Sequence, residues 1–128
     1  MKRVKLNGTV FSGEGEGKKF VELPWVSRQI IKKLGFTPYP GTLNLKLTEK
    51  SVKQRNLLEK VPSMQILPSE GYYSGLLFKA FIGIVECAIV LPQITGYPKT
   101  VLEVIASINL RVALKLENGC QVTVVVNV

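Results

Sequence analysis

Three glycines at alternate positions mark a polar stretch near the amino terminus. The stretch reads Ser12-Gly13-Glu14-Gly15-Glu16-Gly17-Lys18-Lys19. Glycine lets a backbone approach a ligand closely, and successive exposed N–H groups can surround an anion. A Walker A loop is excluded, because Ser12 stands in place of its first glycine and Lys19 in place of its Ser or Thr, and the dinucleotide pattern G-x-G-x-x-G is incomplete. The stretch indicates either another kind of anion-binding loop or a plain flexible hairpin.

A second group of polar side chains lies on a predicted strand. Residues 42–47 alternate polar and apolar types, which is the period of a half-buried strand. Thr42 and Asn44 then share one face, about 6–7 Å apart, while the leucines point into a core. A hydroxyl and a carboxamide offer two neutral oxygens that suit Mg²⁺ when substrate phosphates supply the negative charge. The alternative is an ordinary solvated strand face.

A third candidate site is a predicted helix that begins directly after a strand. Ser107 is a favourable N-cap for this helix. The backbone N–H groups of Ile108 and Asn109 would then lack partners within the helix, and with Arg111 they would suit a phosphate. The alternative is an ordinary capped helix with an exposed arginine.

The positive charge of the chain is concentrated in one half. Residues 1–60 contain 13 Lys and Arg and 5 Glu, and 13 − 5 = +8, which equals the net charge of the whole chain. A positive field around the glycine stretch would attract a polyanion, either a nucleotide or a nucleic acid, although excess lysine also serves solubility. The chain has no histidine and no aspartate, which excludes Ser-His-Asp triads, His-rich zinc sites and Walker B aspartates.

Several absences bear on the compartment. No apolar stretch is long and charge-free enough to span a bilayer, and residues 1–5 are not followed by a signal-peptide pattern. Cys87 and Cys120 have neither metal-ligand spacing nor a disulfide framework, so we expect free thiols in a reducing cytosol. We therefore expect a cytoplasmic protein that forms one domain over residues 1–128, a monomer without membrane association.

The predicted secondary structure is mainly short strands. Strands are predicted over residues 4–11, 20–23, 42–47, 75–82, 84–91, 101–106 and 122–126. Helices are predicted over 27–34, with Ser27 as N-cap and Gly35 just beyond the end, over 52–59, and after Ser107. Such a pattern favours a compact β-barrel with short helical inserts.

Together, the order and spacing of the three candidate sites resemble those in the archaeal CTP-dependent riboflavin kinases. The matching segments are Ser12-Gly13-x-Gly15-Glu16-Gly17-x-x-Phe20, Leu34-Gly35-Phe36-x-Pro38-Tyr39-Pro40-Gly41-Thr42-Leu43-Asn44, and Leu102-Glu103-Val104-Ile105-Ala106 followed by Leu110-Arg111. The similarity runs from residue 8 to residue 126. The chain departs from the family pattern at Ser107, at Gly119-Cys120 and at Pro98.

The resemblance implies a small closed six-stranded cradle-loop β-barrel that transfers the γ-phosphoryl group of CTP to the 5′-hydroxyl of riboflavin, giving FMN and CDP. It implies Mg²⁺ bound by Thr42 and Asn44, and riboflavin contacts from Thr95 and Glu103. Nucleotide contacts are implied for Gly13, Glu14, Gly15, Glu16, Gly17, Lys18, Ile108, Asn109, Leu110 and Arg111. No general base is assigned, and Glu103 and Glu16 are the candidates.

Two functions of other classes compete with this reading. Basic small barrels bind single-stranded nucleic acid through a positive groove and stacked aromatic side chains. Tyr72, Tyr73, Tyr39 and Phe20 could serve there, but they are not interleaved with Lys or Arg along one strand. The other competitor is a flavin carrier without kinase activity. The kinase reading expects no nucleic-acid partner.

Overall fold

The computed structural model describes residues 3–13, 16–69 and 73–128, which form a mainly β protein with short helices. The strands are β1 Arg3–Phe11, β2 Leu43–Leu47, β3 Met64–Ile66, β4 Gly75–Ile82, β5 Val85–Pro92, β6 Val101–Ile105 and β7 Gln121–Asn127. The helices are α1 Glu16–Glu22, α2 Pro24–Leu34, α3 Glu49–Leu58 and α4 Leu110–Ala113. None of the helices in this described part has the length and apolar character that a bilayer crossing requires.

Six of the strands close into an antiparallel barrel. The strand order is β4-β5-β6-β2-β1-β7, and β7 pairs back onto β4 through Ala80 opposite Val126. β3 lies outside this ring and pairs with the first residues of β4, where Met64 faces Leu77. Because closure removes free strand edges, six strands are stable here without a second sheet. The predicted six-stranded barrel is confirmed, whereas β3 was not predicted.

The apolar residues divide between the barrel interior and a layer on its outer face. Leu43, Leu45 and Leu47 point inward, as their alternation predicted. On β5 alternate residues such as Ile89 enter the interior, while Val90 and its neighbours on the other face lie under α1 and α2. Burial on both faces explains why β5 reads as a continuous apolar run rather than an alternating one.

The predicted strand over residues 20–23 is wrong, because this segment belongs to α1. Phe20 and Val21 are both buried in the outer layer. The Phe20 ring meets Trp25 edge to face, with ring centroids 6.0 Å apart. Packing of adjacent apolar residues against the sheet surface overrides the local strand pattern.

α2 confirms the predicted helix but begins earlier. It starts at Pro24, whose fixed φ suits a first helical position, so Ser27 lies inside the helix and is not its N-cap. Gly35 ends it in a left-handed conformation with φ of 79°, and its N–H donates to the Ile31 carbonyl. α3 also begins before its predicted start, because the Thr48 hydroxyl accepts from the Ser51 N–H as an N-cap.

Candidate functional site

Two neighbouring strands bring Thr42, Asn44 and Glu103 together on the outer face of the barrel. Asn44 on β2 and Glu103 on β6 are directly opposite in the antiparallel register. The Thr42 Oγ1 donates to Glu103 Oε1 at 3.0 Å. Glu103 is only 3% exposed, so its carboxylate lies within the protein beside the two neutral oxygens. The face that carries Thr42 and Asn44 is therefore a polar cluster around a buried acid.

Tyr97, which the sequence analysis did not single out, also binds this acid. Its hydroxyl donates to Glu103 Oε2, so each carboxylate oxygen accepts from a different side chain. Tyr97 lies in the connection between β5 and β6, six residues before Glu103. Sequence periodicity cannot predict a contact between a loop tyrosine and a strand glutamate. The only available signal was that Tyr97 lies two residues after Thr95.

The first residues of the glycine stretch lie directly against Asn44. Phe11, at the end of β1, is the register partner of Asn44. A Cβ atom added to Gly13 would lie 2.9 Å from both Cγ and Nδ2 of Asn44, which is closer than real contacts allow. A side chain at residue 13 would therefore displace the Asn44 carboxamide, whereas glycine leaves it in place. The structure brings Gly13 and Asn44 together although they are far apart in the sequence.

The rest of the stretch is less like a loop than predicted. Glu14 and Gly15 lie outside the described residues. α1 begins at Glu16, so the backbone of residues 16–18 forms the first turn of a helix, while the side chains of Glu16 and Lys18 lie outside what is described.

Arg111 lies beside the start of the glycine stretch. Its Nη2 donates to the Phe11 carbonyl at 3.2 Å and to Asn118 Oδ1 at 2.9 Å. Asn118 in turn donates from Nδ2 to Ser12 Oγ at 3.1 Å. These bonds link α4, the turn before β7 and the end of β1. A cationic guanidinium is therefore held at the end of β1, two residues before Gly13.

The predicted N-cap at Ser107 is wrong. α4 starts at Leu110, and Asn109 is its N-cap, with Oδ1 accepting from the Val112 N–H at 3.2 Å. The chain is still tied to its neighbour at Ala106, whose carbonyl accepts from the Tyr39 N–H at 2.7 Å, so the helix cannot begin at once. Ile108 and Asn109 therefore precede the helix instead of forming its first turn.

One cavity is lined by two of the three predicted segments. Its volume is about 170 Å³, and residues 39–43 form one side while residues 108–111 form the other. Thr42 therefore faces the same space as the predicted nucleotide contacts Ile108, Asn109, Leu110 and Arg111. The Tyr39 hydroxyl accepts from Asn109 Nδ2 at 3.3 Å across one end of the cavity.

Thr95 lies in a different cavity from Thr42. This second cavity, of about 260 Å³, is lined by the β5–β6 connection and by α3. Tyr97 also lines it, and the Tyr97 hydroxyl reaches Glu103 from that side. The two residues that the resemblance assigns to riboflavin are thus connected through Tyr97, while Glu103 itself binds Thr42.

A buried arginine forms part of the second cavity and was also missed by the sequence analysis. Arg55 on α3 is 2% exposed, and its Nη1 donates to Glu59 Oε1 at 2.8 Å. Lys99 lies 3.6 Å from the other Glu59 oxygen. The three charged residues leave this cavity with a positive balance. The i, i+4 spacing of Arg55 and Glu59 is typical of an ion pair on a helix, but it carries no information about burial.

The donor set around Asn44 fits Mg²⁺ only with help from a substrate. The described residues include no group of three His, Cys, Asp or Glu side chains that could hold an ion alone. Two neutral oxygens, from Thr42 and Asn44, leave most of the coordination and charge to phosphate oxygens and water. The nearby Glu103 carboxylate adds a negative charge that favours a cation. These residues therefore fit an ion that arrives with a polyphosphate.

The aromatic residues considered for base stacking differ in exposure within the described part of the chain. Phe20 is buried at 6% exposure against Trp25. The Tyr39 hydroxyl accepts a hydrogen bond from Asn109, and Tyr72 lies outside the described residues. Tyr73 is half exposed.

Comparison with known proteins matches one family over nearly the whole chain. A family model described as a domain of unknown function, DUF120, with the short name CTP-dep_RFKase, matches residues 10–126.

Curated relatives are similar at about 40% identity. A riboflavin kinase of Methanosarcina barkeri is 40% identical in an alignment that covers 94% of this chain and 56% of the relative. A riboflavin kinase of Pyrobaculum aerophilum is 42% identical, over 91% of this chain and 57% of the relative. One of Ignicoccus hospitalis is 40% identical, over 98% of this chain and 72% of the relative. The chain thus spans a little over half the length of the first two.

Proposed function

The chain belongs to the CTP-dependent riboflavin kinase family, and from that membership we propose that it is a phosphotransferase that converts riboflavin to FMN. CTP is the proposed phosphoryl donor, CDP the second product and Mg²⁺ the required ion. The observation that carries the proposal is that Thr42 and Arg111 line one cavity, while Thr42 also donates to the buried Glu103 and Gly13 lies against Asn44.

The proposed nucleotide side is formed by the glycine stretch and by residues 108–111. Phosphoryl transfer depends mainly on positioning and on neutralising charge. Arg111 is held at the end of β1 by the Phe11 carbonyl and Asn118, so its guanidinium is oriented before a phosphate binds. Backbone N–H groups near Gly13 would add neutral donors at close range. We propose that these groups hold the triphosphate of CTP.

Thr42 and Asn44 are the proposed ligands of Mg²⁺. When bound, the ion supplies charge neutralisation at the phosphate oxygens. The Thr42 hydroxyl donates its hydrogen bond to Glu103, which leaves the lone pairs of the Thr42 oxygen for a cation. Asn44 is limited in its movement by the Gly13 backbone on one side.

The proposed riboflavin contacts are Thr95 and Glu103, and Tyr97 connects them by its hydrogen bond to Glu103. The second cavity is adjacent to the first, because Tyr97 lines one and Thr42 lines the other and both bind Glu103. A flavin there could extend its ribityl hydroxyl toward the triphosphate, so that the reacting groups meet in line. Of the two candidate bases, Glu103 lies at this junction.

We also propose that residues 1–128 act as a single kinase domain, monomeric and cytosolic. The inner and outer apolar layers share strands β4, β5 and β6, so neither layer forms a separate unit. Cys87 and Cys120 are free thiols, which suits a reducing compartment.

The proposal is tested by product formation. Protein, riboflavin and Mg²⁺ are mixed with each of the four nucleoside triphosphates in turn, and FMN is separated by chromatography. We expect FMN with CTP and none with the other three. A reaction without Mg²⁺ is the control.

Other outcomes point to other functions. Quenching of riboflavin fluorescence without any FMN would indicate a flavin carrier. Salt-sensitive binding of a single-stranded oligonucleotide, again without FMN, would indicate a nucleic-acid-binding barrel.

A further inference from the structure

Glu103 is fixed by hydroxyl groups from two different cavities. Thr42 Oγ1 donates to Oε1 at 3.0 Å, and the Tyr97 hydroxyl donates to Oε2. With 3% of its surface exposed, the carboxylate depends on partners within the protein. Two donors on its two oxygens define both the position of the carboxylate and its rotation. We refer to Tyr97, Glu103 and Thr42 as the hydroxyl–carboxylate relay.

The relay determines where the Thr42 oxygen can act. A threonine hydroxyl has one proton and two lone pairs. Because the Thr42 hydroxyl points its hydrogen at Glu103, the lone pairs of the Thr42 oxygen point away from that carboxylate. Asn44 lies directly opposite Glu103 in the register, so its carboxamide is in the same part of the sheet. A shift of Glu103 would therefore turn the Thr42 oxygen relative to Asn44.

Tyr97 is held in place by its own loop. The Tyr97 N–H donates to the Ile94 carbonyl at 3.0 Å, and the Val101 N–H donates to the Pro98 carbonyl at 3.2 Å. These bonds shape the connection that lines the second cavity. The tyrosine hydroxyl thus reaches the acid from a loop with a defined geometry.

We propose that Tyr97 is a positioning residue that acts through Glu103 to orient Thr42 toward a divalent cation. The assignment of the cation to Thr42 and Asn44 rests on the proposed function. Groups that hydrogen-bond to metal ligands commonly control metal affinity, because they fix the direction of the ligand's lone pairs. The relay also makes the cation site sensitive to the shape of the second cavity.

The test is the Tyr97→Phe variant, with Mn²⁺ as the probe ion and CDP as a nucleotide that cannot react. Free Mn²⁺ is measured by electron paramagnetic resonance. Outer-shell changes cost about 10–100-fold in metal affinity, and we expect roughly 3–10-fold here because Tyr97 is one bond further away. Riboflavin affinity without a metal, measured by fluorescence quenching, should change less than about two-fold, since the aromatic ring remains.

Tyr73→Phe is the matched control. Tyr73 is 51% exposed and loses the same hydroxyl group, so Mn²⁺ should bind this variant as it binds the wild type. Equal Mn²⁺ affinity in Tyr97→Phe and Tyr73→Phe would overturn the proposal. A loss of riboflavin binding as large as the loss of Mn²⁺ binding would also overturn it, since Tyr97 would then act on the flavin directly.

A double-mutant cycle separates action through Glu103 from an independent effect. Glu103→Gln keeps the shape of the side chain but removes its charge. If Tyr97 acts through Glu103, adding Tyr97→Phe to Glu103→Gln should weaken Mn²⁺ binding by less than about two-fold more. If the losses of Mn²⁺ affinity in the two single variants multiply in the double variant, Tyr97 does not act through Glu103 and the proposal is overturned.

Failure of the relay and failure of the kinase proposal can be told apart. A wild-type chain that binds Mn²⁺ with CDP and follows the expected cycle supports the relay even if no FMN forms. A wild-type chain that makes FMN but shows no difference between the two phenylalanine variants retains the kinase function and loses the relay. Absence of Mn²⁺ binding in the wild type overturns the relay outright.

Discussion

At the scale of residues, the candidate site combines one buried acid with neutral oxygens and one guanidinium. Glu103 accepts hydrogen bonds from the hydroxyl groups of Thr42 and Tyr97. A carboxylate contributes a local negative potential. An approaching divalent ion or a positively charged group can use that potential, which is why this face suits a cation despite the net charge of +8.

The first residue-scale prediction concerns Asn44. Asn44→Ala removes a proposed ligand of Mg²⁺, so FMN formation should fall by more than about 100-fold, beyond the loss seen for outer-shell groups. Riboflavin should still bind, as measured by fluorescence quenching. Asn127→Ala, at an exposed position on β7, is the control and should remain active. Activity within a few-fold of wild type in Asn44→Ala would remove Asn44 from the site.

The second concerns Arg111. Arg111→Ala removes a charged donor, and hydrogen bonds to charged groups contribute about 1.5–3 kcal/mol, or roughly a 10–100-fold change. The KM for CTP should therefore rise by at least about 10-fold, while the KM for riboflavin changes little. Arg28→Ala, on the exposed face of α2, is the matched control. Equal increases in both KM values would argue against a phosphate role for Arg111.

At the scale of elements, the site is held by strand ends and connections. Phe11 ends β1 and Gly13 follows two residues later, while Asn44 lies on β2 and Glu103 on β6. The connection before α4 and the segment before β2 are joined by the Tyr39 N–H to the Ala106 carbonyl. Strands in a closed barrel cannot slide, so these side chains keep a constant relation while the connections between them adapt to ligands.

The element-scale prediction tests which residue caps α4. Asn109→Ala should lower the free energy of unfolding by about 0.5–1 kcal/mol, because the Val112 N–H loses its acceptor. Ser107→Ala is the matched comparison and should be nearly neutral, since Ser107 is exposed and lies outside α4. Urea denaturation measures both. A larger loss for Ser107→Ala would restore Ser107 as the cap.

At the scale of the whole molecule, barrel closure buries a cysteine that the proposed chemistry does not use. Cys87 on β5 is 1% exposed in the barrel interior. Burial, with a smaller contribution from the Glu86 carboxylate, raises the pKa of the Cys87 thiol to about 12. In the unfolded chain this thiol ionises near its ordinary value of 9.0. The folded protein therefore keeps a proton that the unfolded chain loses.

This difference makes stability depend on pH. Below about pH 9 the Cys87 thiol is protonated in both the folded and the unfolded protein, and its full contribution to stability is present. Between about pH 9 and 12 the free energy of unfolding falls by at most about 1.4 kcal/mol per pH unit. Urea denaturation at pH 8, 9, 10 and 10.5 should show a steeper decline for wild type than for Cys87→Ala or Cys87→Val. Parallel declines in all three proteins would contradict this assignment.

Much of the fold follows from local pattern. Alternation through Leu43, Leu45 and Leu47, the apolar runs on either side of Gly83 and the Gly35 helix end all appear in the structure as predicted. Each of these signals depends only on neighbours within a few residues. Family membership follows from the sequence as well, because motif order and spacing do not require knowledge of contacts.

The arrangement of the site depends on contacts between distant parts of the chain. Phe20 and Val21 lie in a helix that packs on the outer face of the sheet, and β3 pairs with the part of β4 that precedes its pairing with β7. Tyr97 binds Glu103, and Arg111 binds the Phe11 carbonyl, only after strand register and barrel closure have brought them together. Periodicity records which side of an element is buried, but it carries no information about the partner across a strand pair. The sequence by itself therefore determined the elements and the family, whereas only the tertiary structure decided which side chains meet.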